Sequence, residues 1–383
     1  MPNIMKRDYI FSKGVSSENS NDNYDYQSYI GLSPKKFFYS HEFVKTKIRS
    51  DCMDTSSHII MGLGLAALAQ IDPVIANDST LSQAVLFGTV IGSNAPDFDF
   101  IYRMKGKGSY IRNHRAMSHS FLALPLWSVA VSGIFYSFIP TSSFLHLFLW
   151  TFLAVILHVF FDLFNVHGTQ VLLPFSKKWI AFDSIPLVDP IILSVHLLGF
   201  CLIPFFEMGK MFFILYIFIF LYLAARTAAT LITKRTLYLY FRNSTRIKLI
   251  PRASLFQWDV IIETKEDFLF GVYSKGSLLI EHSLLKKIDF PELVSDSKSH
   301  PFVSDFLSST QYAYPFVQTR KNGYLIYWKD LRFRTNKFFP NLAIIAVSSD
   351  HKMMNCFIGT LYSLKQYKQV IRQLKNTVIL KKG

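Results

Sequence analysis

The chain has 383 residues, half of them apolar and only 17% charged, a balance that excludes an intrinsically disordered protein and, with long apolar runs between about 58 and 232, points to the membrane class. The formal charge of +15 would suit a nucleic-acid partner, but in a protein with many spans Lys and Arg gather in cytoplasmic loops against anionic headgroups, so the excess is read first as topology. Three scattered cysteines, Cys52, Cys201 and Cys356, form no CxxC and support neither a disulfide framework nor a thiolate zinc site.

Residues 1–52 are polar, rich in Ser, Asn and Asp, and contain no apolar core of a signal peptide; they read as a flexible leader. Met53 directly precedes the first apolar segment and stands as an alternative start. A helical membrane domain is expected over 53–233, with apolar segments near 58–76, 81–95, 119–139, 144–164, 187–206 and 211–232. The last four are about 20 residues long, the length a hydrocarbon core of about 30 Å demands of a helix. Gly62, Gly64, Gly88 and Gly92 would let the first two pack closely.

Loop charges orient these six spans. Arg103, Lys105, Lys107, Arg112 and Arg115 follow the second, Lys177 and Lys178 the fourth, and Lys234, Arg235, Arg242, Arg246 and Lys248 the sixth. The alternate connections carry almost no positive charge, so both termini are expected in the cytoplasm of a multi-pass protein of the cell membrane. From 234 to 383 the pattern turns to short β-rich runs at 237–241, 259–264, 268–273 and 277–281. Two more, 314–319 and 324–334, flank the hairpin signal Lys321-Asn322-Gly323. Runs at 341–347 and 355–361 and a closing helix near 363–374 complete a basic, mostly β cytoplasmic domain. Its basic and aromatic residues fit an anionic lipid surface better than nucleic acid.

Ionisable residues at membrane depth are costly and usually functional. His58 opens the first span; Asp97 and Asp99 close the second, after Asn94-Ala95-Pro96; His119 opens the third; and His158 and Asp162, four apart on one helical face, end the fourth. Singly, each is as readily a cap or an interfacial residue, and His158 and Asp162 could simply pair with each other. Under the expected topology, however, all of them meet at the cytoplasmic interface from four helices, and imidazole with carboxylate is the donor set of zinc, manganese or iron. Arg112 and Arg115 suit topology or lipid-phosphate contact. His146 and His196, without an acidic neighbour in sequence, read as structural.

The set Met53-Asp54-Thr55, Ser57-His58, Gly92-Ser93-Asn94-Ala95-Pro96-Asp97-Phe98-Asp99, Ile111-Arg112-Asn113-His114-Arg115, Ser118-His119-Ser120, 158–162, 165–169, Pro174-Phe175-Ser176 and Asp189-Pro190 resembles the YfhP/YdjM-like family of bacterial inner-membrane proteins, described as metal-dependent hydrolases, and most of all its YfhP-type members from Bacillus. The resemblance implies metal ligands at His58, Asp97, Asp99, His114, His119, His158 and Asp162. His167 departs from the Tyr expected before Gly-Thr.

These readings lead to a metal-dependent hydrolase of phosphoesters, with zinc or manganese as cofactor and membrane lipid or a lipid-linked phosphoester as partner. Arg115 would steady developing phosphate charge, and Asp99 would join it in catalysis. The rival is a non-catalytic membrane regulator or scaffold whose basic C-terminal domain binds a cytoplasmic partner.

Overall fold

A computed structural model describes residues 50–334 and 338–379; residues 1–49 of the expected leader fall outside them, and Met53 falls within the first helix. The chain divides into two compact bodies, one ending at Ser277 and the other taking in Leu278–Gly383.

The first body is a helical bundle. Each apolar segment forms a helix: α1 (Ser50–Ala69), α3 (Ser79–Gly92), α5 (Ala123–Phe138), α6 (Phe144–Phe164), α7 (Pro190–Leu202) and α8 (Met208–Tyr240), with short α2 (Pro73–Ala76) and α4 (Lys107–Asn113) between them. Local chemistry sets the boundaries. Asp72, Asp78 and Asp189 accept hydrogen bonds from the first free N–H groups of α2, α3 and α7, and Pro73 and Pro190 stand at first-turn positions that need no donor. Asp189-Pro190 is thus a helix start. α6 and α8 are long and apolar enough to cross a membrane, and a third crossing arises if the stretch from α4 through α5, bent by 84°, counts as one. α1, α3 and α7 are shorter apolar helices.

The bundle is tightest where side chains are smallest. α1 packs on α3, α3 on α6, and α5 on both α3 and α6. A Cβ added at Gly62 would lie 2.8 Å from the Val90 Cα and 2.9 Å from the Thr89 carbonyl, and one at Gly92 3.1 Å from the Thr151 carbonyl. At these two crossings helix backbones touch. Between α3 and α5 the chain runs through two 3₁₀ segments, Ala95–Lys105 and Met117–His119, on either side of α4.

α8 runs 33 residues, roughly 50 Å at 1.5 Å per residue. The expected strand at 237–241 is therefore corrected: this stretch is the end of α8. Leu237 is buried in line with Arg226, Thr230 and Thr233, spacings of three and four that keep one helical face against the sheet that follows. That sheet pairs β1 (Arg246–Pro251), β2 (Gln257–Glu263) and β3 (Asp267–Ser274) antiparallel, with Trp258 Nε1 donating to Thr230 Oγ1 at 3.2 Å.

The second body opens in β4 (Ser277–Leu285), passes through α9 (Pro291–Ser297) and α10 (Pro301–Ser308), and forms an antiparallel meander of β5 (Ala313–Arg320), β6 (Gly323–Asp330), β7 (Asn341–Ser348) and β8 (Met353–Thr360). The expected hairpin pairs Arg320 with Gly323, and Gly323 sits at φ +146°, where side chains are disfavoured. α11 (Leu364–Ile379) closes the body, burying Tyr367, Ile371 and Leu374 over the sheet.

Candidate metal centre

Four side chains from three places in the bundle meet at one point. Asp97 comes from the first 3₁₀ segment, His119 from the second, and His158 and Asp162 from the last two turns of α6. One donor atom of each lies within 4.8 Å of all the others. The two Nε2 atoms are 3.2 Å apart. His119 Nε2 is 3.4 Å from Asp97 Oδ1 and 3.3 Å from Asp162 Oδ2, and His158 Nε2 is 3.7 and 3.5 Å from the same oxygens.

Hydrogen bonds on the outer side fix what these atoms present. His158 Nδ1 donates to the Ser93 carbonyl at 2.7 Å, so its proton is on Nδ1 and Nε2 turns a lone pair inward. The hydroxyl of Ser118 donates to Asp99 Oδ2 at 3.2 Å and accepts from His119 Nδ1 at 2.9 Å, which assigns the same tautomer to His119. Asp162 is split: Oδ1 accepts from Asn165 Nδ2 at 3.1 Å and pairs with Arg115 Nη2 at 3.2 Å, while Oδ2 faces the histidines. Asp97 Oδ1 and Asp162 Oδ2 are buried and accept no hydrogen bond among the described residues.

Four atoms that only accept, two of them anionic, thus face one another in a nearly dry site. Left alone this arrangement is unfavourable, whereas a cation among them satisfies all four. With ligand bonds of about 2.0–2.2 Å, donors on a tetrahedral ion stand about 3.3–3.6 Å apart, a spacing matched by the five pairs that include a histidine, at 3.2–3.7 Å. The residues fit a divalent metal, and they do not select one.

The other expected ligands lie around this centre. His58, on α1, packs against His158 with ring centroids 3.9 Å apart and the planes tilted by 32°, and its Nε2 is 3.7 Å from Asp162 Oδ1. Asp99 and His114 bond to each other, Nδ1 to Oδ1 at 3.0 Å, and Asp99 Oδ2 also accepts from the Arg115 amide at 3.0 Å. Asp99 therefore reaches the centre through Ser118. Arg115 is buried, and its guanidinium holds Asp162 and Asn165; its φ of +57° is a strained conformation for a side-chain-bearing residue, of the kind found at functional sites. His167 stands outside the cluster, with its amide donating to Asn165 Oδ1. His146 lies 3.6 Å from Asp72, and His196 Nδ1 donates to the Ile192 carbonyl, both away from the centre.

Sequence reading gave no role to Ser93, Ser118 or Asn165. Asn165 had a local signal, an amide side chain one turn after Asp162 at the end of a helix, where it ties Asp162, Arg115 and the turn at Gly168 together. Ser93 acts through its carbonyl, which no side-chain pattern could reveal.

A bundle of apolar helices that gathers buried imidazoles and carboxylates around one point defines a membrane protein with a possible metal-binding centre. A family model described as YdjM inner membrane protein matches residues 53–233, and one described as YfhP C-terminal alpha/beta plait domain matches residues 292–371. A protein of Bacillus subtilis (strain 168), described as "Uncharacterized protein YfhP", is 34% identical over 324 residues, 84% of this chain and 99% of that protein. The chain belongs to the YdjM/YfhP family of membrane proteins. No solved structure matches it.

Proposed function

We propose that the protein is a metal-dependent hydrolase of phosphoesters working at the cytoplasmic face of the cell membrane. The observation that carries this reading is the inward-facing set of Asp97, His119, His158 and Asp162, whose donor atoms lie within 4.8 Å of one another. In this reading those four residues hold a divalent ion, zinc or manganese, with His58 beside them. Such an ion would supply Lewis acidity toward a phosphoryl oxygen and acidify a bound water.

The chain's own groups orient and insulate. Ser93 and Ser118 fix the histidine tautomers, Arg115 and Asn165 fix the inward oxygen of Asp162, and Asp99 anchors Ser118. Arg115 acts here through Asp162, as a positioning residue. His114, about one-third exposed and bonded to Asp99, is the member of the outer set that solvent reaches.

The proposal includes six spans with both termini cytoplasmic, a membrane domain over 53–233 and a β-rich domain over 234–383. Two long apolar helices and the absence of Lys and Arg from 140–143, against their abundance at 103–115, support it. Elemental analysis of the purified full chain, followed by a phosphoester panel, is the test. Stoichiometric zinc or manganese is expected, with metal lost in Asp97→Ala and hydrolysis lost in His119→Ala while the protein still inserts. Metal-free protein whose stability is unchanged by Asp97→Ala would favour the scaffold instead.

A further inference from the structure

Two of the four converging donors, His158 and Asp162, sit where α6 stops. Asp162 is followed directly by Leu163 and Phe164, the last residues of that helix, and the carbonyls at a helix end have no partner within the helix. Here amides from a segment well beyond α6 supply one. The Phe182 N–H donates to the Leu163 carbonyl at 2.7 Å, and the Ser184 and Ile185 amides donate to the Phe164 carbonyl at 2.7 and 3.1 Å. The rings of Phe164 and Phe182 close the contact, with centroids 5.1 Å apart.

The 182–185 segment is in turn fastened to β1 and α8. Buried Asp183 pairs with equally buried Lys248 of β1, Oδ1 to Nζ at 2.5 Å. Ser184 is held twice over: its amide reaches α6, and its carbonyl accepts from Nε of Arg226 on α8 at 3.0 Å. Arg226 is 1% exposed and donates to carbonyls, its Nη2 reaching that of Arg252 at 3.4 Å. Two features set this link apart from an ordinary connection. Asp183 stands at φ +56°, a conformation that costs a side-chain-bearing residue stability and persists where its surroundings enforce it. A buried ion pair adds little net stability, and its best-attested use is to fix register.

We propose that Asp183, Lys248 and Arg226 are positioning residues for the metal centre. They set the 182–185 segment, which sets the last turn of α6 and with it the direction of His158 and Asp162. Arg115 and Asn165 fix the Asp162 carboxylate, whereas this link fixes the backbone that carries it. The demand is strict, because a site of this kind works only when its donors are held within roughly 0.5 Å, and the free end of a helix frays. The inference rests on the metal-dependent reading for its chemistry, but the mechanical link from β1 to α6 does not need an ion.

The test uses the purified full chain as wild type, Lys248→Met, Asp183→Asn and the double variant. Arg246→Met, which removes a different ion pair of the same strand, with Glu263, is the control. In metal-free protein, hydrogen exchange of the 182–185 amides should quicken about tenfold or more in Lys248→Met and stay unchanged in Arg246→Met. Cobalt(II), whose visible absorption reports its ligand geometry, should bind Lys248→Met about 10-fold more weakly and with a shifted spectrum, a change that mere loss of stability would not produce. Asp183→Asn, which still accepts a left-handed backbone, should behave alike and serves if Lys248→Met does not fold. The double variant should lose no more than either single one, since all three remove the same pair. A wild type that takes up no cobalt brings down the metal reading, while faster exchange in Lys248→Met still upholds the link. Exchange at 182–185 indifferent to both substitutions, or cobalt bound by both variants with wild-type affinity and spectrum, overturns the proposal.

Discussion

His119 and His158 each commit Nδ1 to an outer partner, one to a serine hydroxyl and one to a backbone carbonyl, and this makes both usable as neutral ligands. The two anchors differ in how they can be tested. The Ser93 carbonyl cannot be removed by substitution, but Ser118→Ala deletes the link between His119 and Asp99. Loss of such an outer partner typically lowers metal affinity 10–100-fold, so chelator competition on Ser118→Ala should show a drop in that range, with Ser118→Thr recovering most of it. An affinity unchanged by Ser118→Ala would detach Asp99 from the centre. Arg115 is the other pivotal residue. Its guanidinium reaches Asp162 and Asn165 at once, a geometry Lys cannot reproduce. Arg115→Lys should therefore lose metal although the charge is kept, and Arg115→Ala should lower stability by about 3–5 kcal/mol, the usual result of stranding a buried charge, measured by thermal or denaturant unfolding.

Between elements, the approach of α1 to α3 sets where His58 stands. Gly62 lies one turn after His58 on α1, and a methyl group there meets α3 backbone at 2.8–2.9 Å, which no rotamer change can relieve. Gly62→Ala should push the two helices apart, lower stability by about 1–3 kcal/mol and weaken metal binding. Gly133→Ala on α5, with nothing within 4 Å of the added carbon, should leave metal binding unchanged and is the matched control. The elements differ in how readable they were. The six apolar helices and most strands announce themselves, because apolar runs and alternation are local signals. The continuation of α8 through Tyr240 does not, since Leu237-Tyr238-Leu239-Tyr240 alternates like a strand and only the sheet packed on Leu237 and Thr230 decides for helix. The two 3₁₀ segments that carry Asp97 and His119 were equally hidden. The residue types of the centre were legible, but the partition of seven expected ligands into four that converge, one beside them and a separate Asp99–His114 pair depends on backbone paths that sequence spacing does not encode.

Across the whole molecule, the proposed topology makes a claim that sidedness labelling can check. With Cys52, Cys201 and Cys356 replaced by Ser, a cysteine at Ser142 should react with a membrane-impermeant maleimide in intact cells, and one at Lys105 should react only after the membrane is opened. The reverse pattern would put the metal centre on the outer face, and equal labelling would remove the span between them. The donors of that centre are separated by long stretches of chain: about forty residues part His119 from His158, and about sixty part Asp97 from His158. An ion held by all of them would act as a cross-link between remote segments, present in the native state and absent from the unfolded chain. Titrating a chelator into the purified protein should then lower its melting temperature in proportion to the logarithm of free-metal depletion, since ligand at a hundred times its dissociation constant contributes about 2.7 kcal/mol. Proteolytic nicking of the 95–121 stretch, which carries two of the donor segments, should rise in step, so that a cell short of the ion would lose the protein itself as well as its activity.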